Sequence, residues 1–212
     1  MSVTKIVITG GPCAGKSTAL ARIRQEFTEK GYTVLVASET ATELILGGIS
    51  PSTLESRVEF QRYQLLLQLE KEKIYDRAAR FLRTDKVLVV FDRGLFDGRA
   101  YVDEPDFEAL LKEAGATEQE LLAHYDAVFH LVTAAKGAEA FYTTSNNEAR
   151  SETIEEAVMI DDRTIKAWEN HPCRVIIDNS TGFDEKIRRL IAAIGLILNR
   201  ADHEKVLTEE EK

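Results

Sequence analysis

Cysteine is scarce in this chain: two in 212 residues, Cys13 and Cys173, with no metal-type spacing and no disulfide framework. That excludes a disulfide-stapled secreted scaffold and predicts a reduced, cytoplasmic protein. No apolar run approaches the length of a membrane span. Met1-Ser2-Val3-Thr4-Lys5 leads straight into strand-like residues, so no signal peptide is expected. Positive charge is also short: the net charge is -9, and no Lys/Arg block offsets it. A sequence-blind nucleic-acid surface is therefore not expected, and any positive charge that matters must be local. Internal repeats and linkers are absent as well. With 44% hydrophobic residues, the length suits one domain with a sizeable core over 1–200, followed by a charged, solvated tail at 201–212.

What is present starts with Gly10-Gly11-Pro12-Cys13-Ala14-Gly15-Lys16-Ser17-Thr18. A β-branched run, Lys5-Ile6-Val7-Ile8-Thr9, precedes it, and the helical pattern Ala19-Leu20-Ala21-Arg22-Ile23 follows. This is G-x-x-x-x-G-K-[ST] in its required context, between strand and helix. Loop N–H groups and the unpaired N–H groups of the helix point at one spot, where the helix dipole adds positive charge. Lys16 is predicted to reach the β/γ-phosphates of ATP or GTP, and the Ser17 hydroxyl to ligate Mg²⁺. Cys13 reads as a small space-filler within the loop.

Strands are predicted at Thr33–Ala37, Val87–Phe91, Ala127–Val132 and Arg174–Asp178. Helical patterns lie between them, the longest opening at a capping box, Ser52 to Glu55, and running to about Leu82. Alternating strands and helices imply a three-layer α/β P-loop NTPase fold with a five-stranded parallel sheet, nucleotide-kinase-like. The polar stretch from about 134 to 152 reads as a loop or lid, and the helix after it runs to Glu169. The long helix could cover the sheet or pair with a second subunit, which leaves the oligomeric state open.

Asp92 ends the most apolar strand, as a Walker B carboxylate does, and is expected to hold Mg²⁺ through water. Arg93 follows it, where hydrolytic motors usually place a second carboxylate, and N-K-x-D occurs nowhere. Asp92-Arg93-Gly94-Leu95-Phe96-Asp97-Gly98-Arg99-Ala100-Tyr101 resembles the D-R-x-x-x-[S/D]-x-x-A-Y run of thymidylate-kinase-like enzymes. Together with Thr9–Ser17, Ser38-Glu39-Thr40-Ala41-Thr42, Ala149-Arg150-Ser151-Glu152, Ala167-Trp168-Glu169-Asn170-His171-Pro172 and Ile177-Asp178-Asn179-Ser180, it resembles the NadR/TRPL-translocation-defect AAA-like domain family over nearly the whole chain. That family includes a ribosylnicotinamide kinase and an animal protein that binds GTP and phosphoinositide. No H-x-G-H is present, so only the kinase-like half is represented.

The resemblance implies roles for further residues. Glu39 lies where deoxynucleoside kinases carry the carboxylate that deprotonates the acceptor hydroxyl; the other reading is an acidic first-turn residue of a helix. Arg93 and Arg99 could neutralise phosphate or clamp the acceptor. Asp97 could accept from a ribose or base edge, or serve as a helix N-terminal carboxylate. Arg150 sits in the lid, where positive charge arriving on closure acts on the transferring phosphoryl group; Arg163 is a second candidate. Asn179, with Ser180 and Thr181, either wraps the nucleotide base or forms an ordinary turn. His130 reads as a core histidine and His171-Pro172 as a helix stop. The expected activity is Mg²⁺-dependent transfer of the γ-phosphoryl group to a nucleoside-like or nucleotide-like small molecule. A nucleotide-switched regulatory protein and a simple NTPase are the alternatives.

Overall fold

The computed structural model describes residues 2–142 and 153–210. Five strands, β1 (Ser2–Gly10), β2 (Thr33–Ala37), β3 (Lys86–Asp92), β4 (Ala127–Leu131) and β5 (Arg174–Ile177), form one parallel sheet in the order β2-β3-β1-β4-β5. β1 is the central strand. Its alternation decides the layers, because successive side chains leave opposite faces. Val7 joins Val89, Phe91, Phe96, Phe107 and Trp168 on one face. Ile6 and Ile8 join Leu88, Ile23, Phe129 and Leu190 on the other.

The second face is covered by α1 (Lys16–Glu29) and α7 (Phe183–Glu210), the first by α3 (Arg57–Arg80), α4 (Glu104–Glu113) and α6 (Ile154–Ala167). Two short helices, α2 (Thr40–Leu46) and α5 (Glu118–Leu122), complete the set. Among the described residues no helix is long and apolar enough to cross a membrane.

Three boundaries differ from the sequence reading. α3 starts at Arg57, capped by the Ser56 hydroxyl, which accepts from the Glu59 N–H at 3.2 Å. The expected cap at Ser52 fails because Thr53 folds back, its hydroxyl donating to the carbonyls of Gly48 and Ser50, and holds a turn. α6 starts at Ile154, where Thr153 and Glu156 cap each other reciprocally. α7 continues to Glu210, through most of the stretch expected to be a frayed tail.

Candidate phosphate and acceptor site

The loop between β1 and α1 leaves the sheet at its carboxyl edge, where α/β sheets place ligands. Gly10 pairs with Leu131 of β4, has φ +151°, and lies so close that an added Cβ would be 2.2 Å from the Leu131 carbonyl oxygen. No other residue fits there. Gly15, at φ +90°, turns the chain into α1. Lys16 is the first helical residue and is buried. Burial, and then the nearby Arg93, lower its pKa, while Glu39, Asp92 and Asp97 pull it the other way. Ser17 and Thr18 are exposed in the first turn of α1.

The end of β3 supplies the opposing charges. Asp92 stands beside Ile8 in register, and Ile8 is two residues before Gly10 in β1. Its Oδ1 is buried without a hydrogen-bond partner, and burial raises its pKa, with Glu39 and Asp97 adding to the effect against Lys16 and Arg93. An orphaned carboxylate oxygen coupled to the phosphate-loop Lys16 fits a divalent cation shared with phosphate. No group of three or more His, Cys, Asp or Glu among the described residues could hold a metal by itself, so the remaining ligands would be phosphate oxygens and water.

Arg93 takes φ +66°, a left-handed conformation that costs a non-glycine residue about 1–2 kcal/mol. Its N–H stays paired with the Ile8 carbonyl at 3.0 Å. The turn sends its guanidinium to Glu39 and to Asp97, Nη1 donating to the Asp97 Oδ1 at 3.0 Å. Burial opposes its charge, yet Tyr101, Glu39 and Asp97 hold its pKa well above the ordinary value. Burial likewise works against the Glu39 carboxylate, but Arg93 and Lys16 bring its pKa down to about 2. Glu39 occupies the cap position before α2 without capping it; its carboxylate faces Arg93 and the Thr42 hydroxyl, at 2.7 Å. Beside this pair lies a small recess of about 10 Å³ among Gln61, Gln64 and Gln68 of α3, Leu95 and Phe107, in which the Gln68 amide is already bonded to Thr40, Glu72 and the Arg93 carbonyl.

Several expected site residues turn out to be structural. Asp97 is fully buried, and both its oxygens are taken, by the Thr9 hydroxyl, Arg93, the Gly94 N–H (2.9 Å) and the Trp168 indole N–H (3.2 Å). It has no room for a ribose or base edge and acts as the carboxylate that aims Arg93. Asn179 is not turned to a nucleotide base. Its Nδ2 donates to the carbonyls of Thr133 (2.8 Å) and Lys136 (2.7 Å), and its Oδ1 accepts from Lys186 (2.8 Å). Ser180 is tied to Asp178 and Arg189 in a turn. Arg99 pairs with Glu104 and Glu118, and Arg163 is exposed on α6. The segment taken as lid does not begin at 134, since Thr133, Ala134 and Ala135 are buried against the phosphate loop. Arg150 lies outside the described residues.

The sequence reading missed Asp161. Fully buried on α6, it accepts from the Gly11 N–H (3.0 Å), the Thr133 N–H (3.1 Å) and Lys136 (2.8 Å), and meets His130 at 3.0 Å. Burial works against its charge, but His130 and Lys136 lower its pKa to about 2. The signal for it was a carboxylate on the inward stripe Ala157, Asp161, Thr164 and Trp168, where an apolar residue belongs.

An AAA domain family model matches residues 5–186. Among solved structures, a deoxyadenosine kinase from M. mycoides with the products dCMP and a flexible dCDP bound superposes with a TM-score of 0.61 at 19% identity, covering 92% of this chain and 100% of that one. The same enzyme with dATP bound gives 0.56 at 17% identity, covering 91% and 99%. No curated protein sequence matches. At such identities the likeness shows the fold.

Proposed function

The chain belongs to the AAA domain family, and on that premise we propose that it is an ATP-using, Mg²⁺-dependent phosphotransferase acting on a nucleoside-like or nucleotide-like acceptor. The observation that carries this reading is the convergence of Lys16, Asp92, Arg93 and Glu39 at the sheet's carboxyl edge. Further support comes from the M. mycoides kinases, which carry dCMP, dCDP or dATP.

In this reading Lys16 and the loop N–H groups hold the donor's phosphates. Ser17 and Asp92 would hold Mg²⁺, whose contribution when bound is to neutralise phosphate charge. Arg93 faces the acceptor side and balances charge that develops during transfer. Glu39, held near 2, is a weak base; it acts by accepting a hydrogen bond from the acceptor hydroxyl and orienting it, which a loose phosphoryl-transfer transition state allows. Arg150 is assigned to the transferring phosphoryl group. Arg150→Ala should lower turnover about 10³-fold while ATP affinity moves only several-fold, since its charge is needed most in the transition state.

The test is an acceptor screen with ATP and with GTP, reading nucleoside diphosphate release against a water-only blank. Acceptor-dependent release supports the kinase. Release equal to the blank with every acceptor makes the protein an NTPase, and binding without release makes it a nucleotide-switched regulator.

A further inference from the structure

The phosphate loop is held from behind. Three successive carbonyls, those of Pro12, Cys13 and Ala14, accept from the Thr133 hydroxyl, the Ala134 N–H (3.4 Å) and Lys186 Nζ (3.2 Å). In a planar trans peptide the C=O and the following N–H point in opposite directions. Anchoring these carbonyls on the β4 and α7 side therefore turns the N–H groups of Cys13, Ala14 and Gly15 to the other side of the loop.

Lys186 is the centre of this bracket. It is buried in the first turn of α7, and its three ammonium protons meet three oxygens: Ala14 O, Val132 O (2.6 Å) and Asn179 Oδ1 (2.8 Å). Asn179 in turn holds the carbonyls of Thr133 and Lys136, so the same side chain that grips Lys186 also steadies the segment supplying the other two anchors. Neither the helix nor the core gains from a cation here. The N-terminal end of a helix disfavours positive charge, and a buried ammonium pays desolvation that a Leu or Met would not.

We propose that Lys186 is a positioning residue for anion capture, its ammonium setting the loop's N–H groups toward the ligand before the ligand arrives. This rests on the phosphate-loop reading above. Burial lowers the Lys186 pKa to about 8. Asp161 of α6 and Asp178 beyond β5 favour its charge, Arg189 of its own helix opposes it, and the phosphate loop and the end of β4 present carbonyl oxygens to it. Raising the pH through 8 removes the ammonium from the bracket. The sign for stability is opposite: between about 8 and its ordinary 10.5 the unfolded chain binds more protons at this group, so its contribution to stability rises with pH. Lost binding with a steady or rising melting temperature thus separates positioning from unfolding.

The experiment is calorimetric titration of inorganic triphosphate without metal, at pH 7 and pH 9, into the wild type, Lys186→Met and Lys186→Arg, each checked by thermal melting. The wild type should bind about tenfold more weakly at pH 9, one unit above the midpoint. Lys186→Met should be at least about tenfold weaker already at pH 7, and Lys186→Arg should keep its pH 7 affinity at pH 9. A Met variant that binds as the wild type does, or an alkaline loss of full size in the Arg variant, overturns the proposal and leaves the phosphate loop standing. A wild type that binds no triphosphate overturns both. Should neither variant fold, lysine side-chain NMR of the wild type decides: triphosphate must move the Lys186 midpoint upward by the factor that pH moves affinity, and an unmoved midpoint sinks the idea.

Discussion

The two flanks of β1 use buried charge in opposite ways. On the β3 flank, Lys16, Asp92, Arg93 and Glu39 interact mainly with one another, and two of them keep valences open: the Asp92 Oδ1 has no partner, and the Glu39 side chain is 25% exposed. On the β4 flank, Asp161, Lys186 and Asn179 direct their hydrogen bonds largely to backbone groups of the phosphate loop and of the strand end beside it. A charge with an open valence is available for chemistry, whereas one saturated by backbone fixes geometry. Both flanks contain carboxylates, so residue type alone does not separate the roles; the partners do.

Removing a carboxylate from each flank should therefore give opposite results. The largest effect expected on the fold is from Asp161→Ala, which leaves the N–H groups of Gly11 and Thr133 unpaired in the interior beside His130 and Lys136. A loss of about 3–5 kcal/mol, read from urea unfolding, is expected. A loss under about 1 kcal/mol would make the two flanks alike. Next is Asp92→Asn, where turnover should fall about a hundredfold and the Mg²⁺ titration flatten. Stability should hold or improve slightly, because a buried charged oxygen without a partner is replaced by a neutral amide. A destabilised Asp92→Asn with normal turnover would exchange the roles assigned to the flanks.

Acid titration sharpens the contrast at smaller scale. Glu39 and Asp161 each have a pKa of about 2 in the fold, below the ordinary carboxylate range. Between about pH 2 and 4.5 the unfolded chain binds the extra protons, so stability rises with pH across that window. It is fully present above it and lost as pH falls through 2. Each group contributes at most about 2–3 kcal/mol. Glu39→Gln and Asp161→Asn should each flatten the slope of unfolding free energy against pH there, and an unchanged slope in either would remove that residue from its ion pair. The smallest effect is expected from Arg99→Ala, outside both flanks, where loss of the pairs with Glu104 and Glu118 should cost about 1 kcal/mol and leave turnover unchanged.

The β3 flank was legible in the sequence and the β4 flank was not, for a reason of distance along the chain. Asp92 and Arg93 announce themselves by ending an apolar strand, and Lys16 by its loop, so each position is marked by its immediate neighbours. The five strands were equally plain from their β-branched runs. Asp161 and Lys186 act on Gly11 and Ala14, 150 and 172 residues away, and no local pattern encodes such a pairing. Their one local sign was a charge on an inward helical stripe. Asn179 was placed after the last strand with two readings, a base-wrapping residue or an ordinary turn, and its amide binds two backbone carbonyls and Lys186; an amide looks the same in sequence whichever it meets. The cap expected at Ser52 was misplaced by four residues: Thr53 closes a turn there, and Ser56 caps α3 instead.

The Lys186 bracket also sets an order of events during synthesis. Gly10–Thr18 is synthesised well before the side chain that anchors the Ala14 carbonyl, which lies 172 residues further along in α7. Domains mature as their N-terminal parts emerge first, and a contact closing so long a loop forms late. A nascent chain can assemble β1 with β3 and present a complete Gly10–Thr18 segment while that segment remains unbraced. A chain stalled before α7 emerges therefore carries the motif without the Lys186 contact to the Ala14 carbonyl.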